Sequence, residues 1–110
     1  MYGHIVSVMV DRPLGSRHPQ YPDLIYPLNY GYVAGVTGGD GEAQDAYILG
    51  PEEPLESFTG RVIAVVHRRD DVEEKWVVAS ADARYSREDI ARAVSFQERY
   101  FDSEILLLEE

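Results

Sequence analysis

The chain has 110 residues, of which 45% are hydrophobic and 27% are charged, a composition typical of one ordinary globular domain. The absence of cysteine excludes disulfides and thiolate metal sites, and no apolar run approaches the roughly 18 residues of a membrane span. The net charge of −10 argues against a nucleic-acid partner, because an acidic surface repels the phosphate backbone, whereas it attracts divalent cations.

Five segments have the β-branched or alternating pattern of short strands and are separated by loops rich in glycine and proline. The predicted strands are residues 3–11, 29–34, 46–49, 61–67 and 75–79. Gly31 lies inside the second of them, which indicates a bulge or the close approach of a neighbouring backbone. Short strands at this spacing are typical of a closed antiparallel barrel of five or six strands.

The last third of the chain changes to a helical period. Ser86 and Asp89 have the spacing of a capping box, with a hydroxyl cap followed by an acid at the third helical position. One face of the helix predicted to follow carries Ile90, Val94, Gln97 and Phe101. This pattern predicts an amphipathic helix of about four turns that packs on the barrel, and therefore an α+β fold.

Residues 105–108 are four consecutive aliphatic residues after this helix. Terminal segments are usually disordered unless they are held in place, so we expect these residues to add a strand to the barrel or to pack against a second subunit. Of these two alternatives we favour the second, a homo-oligomer formed partly by residues 105–108.

No linker or internal repeat divides the sequence, so residues 1–110 are expected to form a single domain. Residues 1–12 lack the basic-then-apolar layout of a signal peptide, which favours a cytoplasmic protein without a membrane partner.

Acidic residues crowd two predicted turns. The first turn and the strand after it carry Asp40, Glu42 and Asp45. The second turn carries Asp70 and Glu73, shortly before Lys75. Like charges at this density repel one another, and a bound divalent cation relieves the repulsion. Oxygen ligands favour Mg²⁺ or Mn²⁺ over zinc. The alternative is that both turns are solvated acidic loops, and the spacing alone does not decide between the two.

Two consecutive motifs resemble those of a known family. Residues 26–32 have the sequence YPLNYGY and are followed by DGEAQD at residues 40–45. This order resembles the signature of family I soluble inorganic pyrophosphatases, in which Tyr-Pro-x-Asn-Tyr-Gly-Tyr precedes Asp-Gly-Asp-Pro-x-Asp. Residues 10–12 match the Val-Asp-Arg of the family. Asp70, Glu73 and Lys75 are similar to its later Asp…Asp-x-Lys element, and Tyr100 is similar to its C-terminal tyrosine. The chain thus looks like a short, variant member.

The resemblance implies an OB-like barrel and the hydrolysis of pyrophosphate to two phosphates by a metal-activated water, with a related phosphoanhydride as the alternative substrate. The metal ligands that it implies, for Mg²⁺ or Mn²⁺, are Asp40, Asp45, Asp70 and Glu73. It implies that Glu42 accepts the proton of the attacking water. The residues that it implies for binding pyrophosphate oxygens are Arg12, Tyr30, Lys75 and Tyr100.

The chain departs from the family pattern in several places. The nine residues before Val10 are fewer than the family has there, which leaves the barrel less covered and favours the homo-oligomer. Glu42 and Glu73 stand where the family has aspartates, and Phe101 stands where it has a lysine. A second hypothesis is therefore a non-catalytic protein that keeps the fold as a metal- or phosphate-binding module. A third, an OB-like nucleic-acid binder, is disfavoured by the charge. The survival of all four candidate pyrophosphate-binding residues favours the enzyme.

Overall fold

Six strands and one helix form the part of the fold that the structure describes, and five of the strands close into a barrel. The computed structural model describes residues 4–39, 41–69 and 73–108. The strands are β1 (Ile5–Arg12), β2 (Asn29–Thr37), β3 (Ala43–Ile48), β4 (Ser57–Arg68), β5 (Glu74–Ala79) and β6 (Ser103–Leu107), and the helix is α1 (Arg87–Glu98). The strand order is β1–β2–β3–β5–β4–β6, and the pairing of β1 with β4 closes the barrel. The predicted barrel with one C-terminal helix is confirmed.

One pairing departs from the antiparallel expectation, since β3 and β5 run parallel. The strand β4 is also longer than predicted. Its first residues pair with β1 and its last residues pair with β6, while its other edge pairs with β5. These partners are distant in the sequence, so the local pattern of apolar residues does not reveal the full length of the strand.

Two hydrophobic clusters lie on opposite faces of the central strands. One draws on all five barrel strands and fills the barrel, with Val8, Val33, Ile48, Val62 and Val78 among its members. The other lies under the helix, where Ile90 and Val94 pack on the outward-facing residues of β3, β4 and β5. The helix α1 is thereby held against the barrel wall.

The close approach predicted at Gly31 is confirmed. Gly31 pairs with Val10, and a Cβ atom on Gly31 would lie 1.9 Å from the carbonyl oxygen of Met9. The β1–β2 register shifts between Val10 and Arg12, so Arg12 lies opposite Tyr30. The pairing of these two strands therefore places an arginine beside a tyrosine at the end of β1.

The helix begins as predicted but ends earlier. The Ser86 side chain accepts from the Asp89 backbone N–H, and the Asp89 carboxylate accepts from the Ser86 backbone N–H, both at 3.1 Å. The helix has 12 residues, which make about three turns. The expectation that Phe101 lies on its apolar face is wrong, because the chain leaves the helix after Glu98 to reach β6. The Phe101 ring instead lies 3.6 Å from the guanidinium of Arg68.

The aliphatic residues that follow the helix form β6, which pairs antiparallel with the second half of β4. Of the two alternatives for this segment, the strand added to the chain's own sheet is the one observed, and the homo-oligomer stays a prediction.

Among the residues that the structure describes, no helix has the length and apolar character needed to cross a membrane.

Candidate active site

A cleft of about 920 Å³ lies between the barrel, the end of α1 and the loop that joins β1 to β2. Its walls include six of the nine predicted site residues, namely Arg12, Tyr30, Asp45, Glu73, Lys75 and Tyr100. Six residues predicted from separate motifs therefore lie on one surface, and their roles stay predictions.

Lys75 lies at the centre of this group. It is buried on β5, and its ammonium donates to Asp45 Oδ2 at 2.6 Å, to Glu73 Oε1 at 2.6 Å and to the Tyr30 hydroxyl at 2.9 Å. Three acceptors use all three N–H donors of an ammonium. Burial alone lowers the pKa of Lys75, but the Tyr30 hydroxyl and the two carboxylates reverse this, so that its net pKa lies above the ordinary value. Lys75 is therefore fully charged at neutral pH.

Asp45 and Glu73 are the two predicted metal ligands that the structure describes. Both are half-buried, and both contact the same ammonium, so their oxygens converge on one cation. A pair of converging carboxylates suits Mg²⁺ or Mn²⁺. Asp40 and Asp70, the other two predicted ligands, lie outside the described residues. Within the described ranges, no group of three or more histidine, aspartate or glutamate side chains could hold a metal ion.

Arg12 forms a second cationic point of the cleft. Its Nη1 donates to the Tyr26 hydroxyl at 2.7 Å, and its guanidinium lies 5.8 Å from the Tyr26 ring centroid and 5.6 Å from that of Tyr30. A guanidinium has five N–H donors, and the bond to Tyr26 uses one. The two rings thus hold a planar cation that is suited to binding phosphate oxygens in pairs.

Tyr100 and Glu42 lie further from this centre. Tyr100 follows the end of α1 at the rim of the cleft, with 66% of its surface exposed, and its hydroxyl lies 3.2 Å from Arg99 Nη2. Glu42 directly precedes β3 and is exposed, and it is not among the residues that line this cleft. The catalytic role predicted for Glu42 stays a prediction.

Sequence reasoning missed a buried ion pair in which the arginine, Arg68, lines the cleft. Arg68, at the end of β4, donates from Nε and Nη2 to the two oxygens of Glu98 at 3.1 and 2.7 Å, and from Nη1 to Glu73 at 3.1 Å. Burial would raise the pKa of Glu98, but hydrogen bonds from Arg68, Tyr47 and Ser103 hold it below the ordinary value. One sequence signal was present, because Gln97 is a polar residue on a helix face predicted to be apolar.

Comparison with known proteins identifies the family. The family model described as inorganic pyrophosphatase matches residues 7–103. The chain belongs to the inorganic pyrophosphatase family. The inorganic pyrophosphatase of Corynebacterium efficiens is 30% identical, over 83% of this chain and 70% of the relative. The enzyme of the same name from Corynebacterium glutamicum is 29% identical over the same shares.

Solved structures share the fold. An inorganic pyrophosphatase from Neisseria gonorrhoeae has a TM-score of 0.67 at 22% identity, covering 89% of this chain and 74% of that chain. One from Ehrlichia chaffeensis has a TM-score of 0.69 at 14% identity, covering 94% and 85%. At these identities the likeness concerns the fold alone. The activity follows from family membership: the chain is an inorganic diphosphatase, a metal-dependent hydrolase of inorganic pyrophosphate.

Proposed function

We propose that the cleft around Lys75 is where pyrophosphate is hydrolysed, with Mg²⁺ as the cofactor and Mn²⁺ as a possible substitute. The observation that supports this site is the convergence of two carboxylates, an ammonium and a tyrosine hydroxyl on one buried point, in the same cleft as Arg12. These are the groups needed to bind both divalent cations and phosphate oxygens.

Asp45 and Glu73 would hold the metal, together with Asp40 and Asp70 from the undescribed part of the two acidic turns. A divalent cation at this point supplies Lewis-acid activation of water and neutralises negative charge on phosphate oxygens. Asp45 and Glu73 each contact Lys75 in the structure, so an ammonium already occupies the place where their oxygens converge. A metal must therefore compete with Lys75 for these two carboxylates.

Arg12, Lys75, Tyr30 and Tyr100 would bind the substrate. Arg12 offers N–H donors beyond the one bonded to Tyr26. Lys75 would turn at least one N–H from its present acceptors to a substrate oxygen, and Tyr30 and Tyr100 would donate from their hydroxyls. Donors fixed in this way stabilise the charge that develops on the departing phosphate.

Glu42 would accept the proton of the attacking water. The water oxygen forms a bond to one phosphorus while the bond from that phosphorus to the bridging oxygen breaks, and two phosphates result.

We also propose that residues 1–110 form one domain in the cytoplasm. The family match over residues 7–103 and the two hydrophobic clusters that share β3, β4 and β5 support the single domain.

Phosphate release from pyrophosphate, measured with Mg²⁺, with Mn²⁺ and with a chelator, tests the proposal. We expect release with either metal, none with the chelator, and little from a nucleoside triphosphate or a polyphosphate. Asp45→Asn should lower the rate by about 100-fold, because ligand geometry controls the reaction. It should also lower the melting temperature, because the neutral amide leaves the buried Lys75 ammonium with one carboxylate partner fewer, so the rates are compared at a temperature at which both proteins are folded.

Asp82→Asn, at an exposed turn position, is the matched control and should retain the parent rate. Equal rates for the parent and for Asp45→Asn would contradict the proposed site. Binding of Mg²⁺ and phosphate without any turnover would support the non-catalytic alternative.

A further inference from the structure

We infer that Gln97, in the last turn of α1, is a positioning residue that holds Arg12 in place through a buried chain of hydrogen bonds anchored on Glu98. The inference rests on the proposed function, in that Arg12 is taken to bind phosphate oxygens.

The chain of hydrogen bonds runs in one direction from a cation to a carboxylate. Arg12 Nη1 donates to the Tyr26 hydroxyl at 2.7 Å, and this hydroxyl donates to Gln97 Oε1 at 3.1 Å. Gln97 Nε2 donates to the Tyr47 hydroxyl at 2.7 Å, and that hydroxyl donates to Glu98 Oε2 at 2.6 Å. Each member is donor to the next, so the positive and negative ends polarise the bonds between them in the same sense.

The same carboxylate anchors a second path to the cleft. Arg68 binds both oxygens of Glu98 and donates its Nη1 to Glu73 Oε2 at 3.1 Å. The other oxygen of Glu73 accepts from Lys75 at 2.6 Å. Glu98 therefore lies where the path to Arg12 and the path to Lys75 meet, and Ser103 on β6 binds it as well, at 2.7 Å.

The chemistry required at position 97 is specific. One side chain must accept a hydrogen bond from Tyr26 and donate one to Tyr47, and an amide does both, whereas an ionised carboxylate only accepts. Both tyrosines are fully buried and Gln97 is nearly so. Gln97 also lines the cleft. Loss of its amide removes the acceptor of the buried Tyr26 hydroxyl and one donor to the buried Tyr47 hydroxyl.

A purely structural purpose does not require these polar groups. Ile90 and Val94 on the same helix pack on the barrel with apolar side chains, and buried polar networks can often be replaced by apolar residues at no cost in stability. The Gln97 network differs from that packing because it ends on a cation that lines the cleft.

The test compares Gln97→Met, which keeps the length of the side chain and removes its polar atoms, with Val94→Ala as the control. Val94 is buried on the same helix and packs on the core under it. The readouts are kcat and KM for pyrophosphate with Mg²⁺, the Kd of inorganic phosphate by calorimetry, and the melting temperature.

For Gln97→Met we expect KM and the phosphate Kd to rise about tenfold, with a smaller change in kcat, because the loss is in binding by a misplaced Arg12. Val94→Ala should lower the melting temperature and leave both constants within about twofold of the parent. In an Arg12→Ala background, Gln97→Met should add less than about twofold, since the two residues act through one path.

Tyr26→Phe keeps the buried ring and removes the hydroxyl between Arg12 and Gln97, so it gives the same test if Gln97→Met does not fold. Unchanged constants in the folded variants would overturn the inference, as would an undiminished effect in the Arg12→Ala background or a parent that binds no inorganic phosphate. A parent that binds phosphate but releases none from pyrophosphate would refute the proposed function alone, and the phosphate Kd values would still decide the role of Gln97.

Discussion

Lys75, the single lysine of the sequence, is buried beside two carboxylates and a tyrosine hydroxyl. Placing a charge in the interior costs desolvation energy that an ion pair recovers only in part. An apolar residue at this position of β5 would avoid that cost. The lysine is instead surrounded by acceptors that metal or phosphate binding would rearrange, which is why we regard the arrangement as a site and not as a stabilising contact.

Glu98 makes the stability of the fold depend on pH, and a variant at this position tests that dependence. It is faced by Arg68 from β4, Tyr47 from β3 and Ser103 from β6, and their hydrogen bonds hold its pKa below the ordinary value despite its burial. A group with a lowered pKa in the folded state contributes stability above its unfolded pKa, about 4.3 for glutamate, and loses it as the pH falls through the folded value.

We therefore expect the free energy of unfolding of the parent to fall between about pH 5 and pH 3, and Glu98→Gln to be less stable at pH 7 with a weaker dependence on pH in this range. Urea denaturation at a series of pH values measures both. Glu88→Gln, exposed in the first turn of the same helix, is the control and should keep the parent's dependence. Parallel curves for the parent and Glu98→Gln would show that this carboxylate does not control acid stability.

The sequence predicted the residues of the cleft that lie in recognisable motifs, such as Arg12, Tyr30 and Lys75. It did not predict Arg68 or Glu98, because their pairing joins β4 to the end of α1, across 30 positions of the sequence. A motif records residues that are close in the chain, whereas a buried ion pair between two elements depends on how those elements pack. Gln97 was visible as a polar residue on an apolar face, but its partners were not.

At the scale of elements, the antiparallel pairing of β1 with β2 places Arg12 opposite Tyr30. Gly31 allows the two strands to lie this close together, since an added Cβ would lie 1.9 Å from the Met9 carbonyl oxygen and 2.9 Å from Val10 Cα. Both are backbone atoms, so the clash cannot be relieved by rotating a side chain. The two strands would have to separate next to the site.

Gly31→Ala should therefore destabilise the protein by about 1–3 kcal/mol or more, the usual cost of forcing extra atoms into a packed interior. It should also raise KM for pyrophosphate, because Arg12 and Tyr30 are opposite each other in this pair of strands. Chemical denaturation and steady-state kinetics measure the two effects. Ala34→Ser, at an exposed position of the same strand, should change stability by no more than about 0.5 kcal/mol. Parent-like stability for Gly31→Ala would mean that the strands are free to move apart.

Element boundaries were predictable where local signals exist and not elsewhere. The capping box at Ser86 marked the start of α1, whereas its end has no comparable signal, and Phe101 continued the apolar period beyond Glu98. The strand β4 was predicted only over its most apolar part, because the remainder is held by pairing with β1. Pairing between distant segments, such as the parallel β3–β5 pair, cannot be deduced from the periodicity of either strand.

The charge of the whole molecule opposes its proposed substrate. The chain carries −10, and pyrophosphate is an anion. The walls of the cleft hold four basic residues, Arg12, Arg68, Lys75 and Arg99, and four acidic ones, Asp11, Asp23, Asp45 and Glu73, so the cleft is formally neutral in an acidic molecule. An acidic surface attracts divalent cations and slows the approach of free anions, so the charge distribution favours a substrate that arrives already bound to a metal cation.

The sheet ends at β6, and this edge bears on the oligomeric state. Within the described residues, β6 pairs only with β4, so its far edge has unpaired backbone groups, and Leu106 on it is 44% exposed. Open strand edges favour pairing with another chain. The arrangement is consistent with the predicted homo-oligomer, although β6 already belongs to the chain's own sheet.

Two variants separate these roles of β6. Truncation after Ser103 removes most of the strand pairing with β4, so it should lower the melting temperature whatever the oligomeric state. Leu106→Lys keeps the strand and adds a charge to its exposed side, which opposes edge-to-edge pairing. If copies associate through β6, both variants should have a lower mass than the parent by light scattering, while Leu106→Lys keeps nearly the parent melting temperature. A parent that is monomeric at every concentration tested would show that β6 serves only the chain's own sheet.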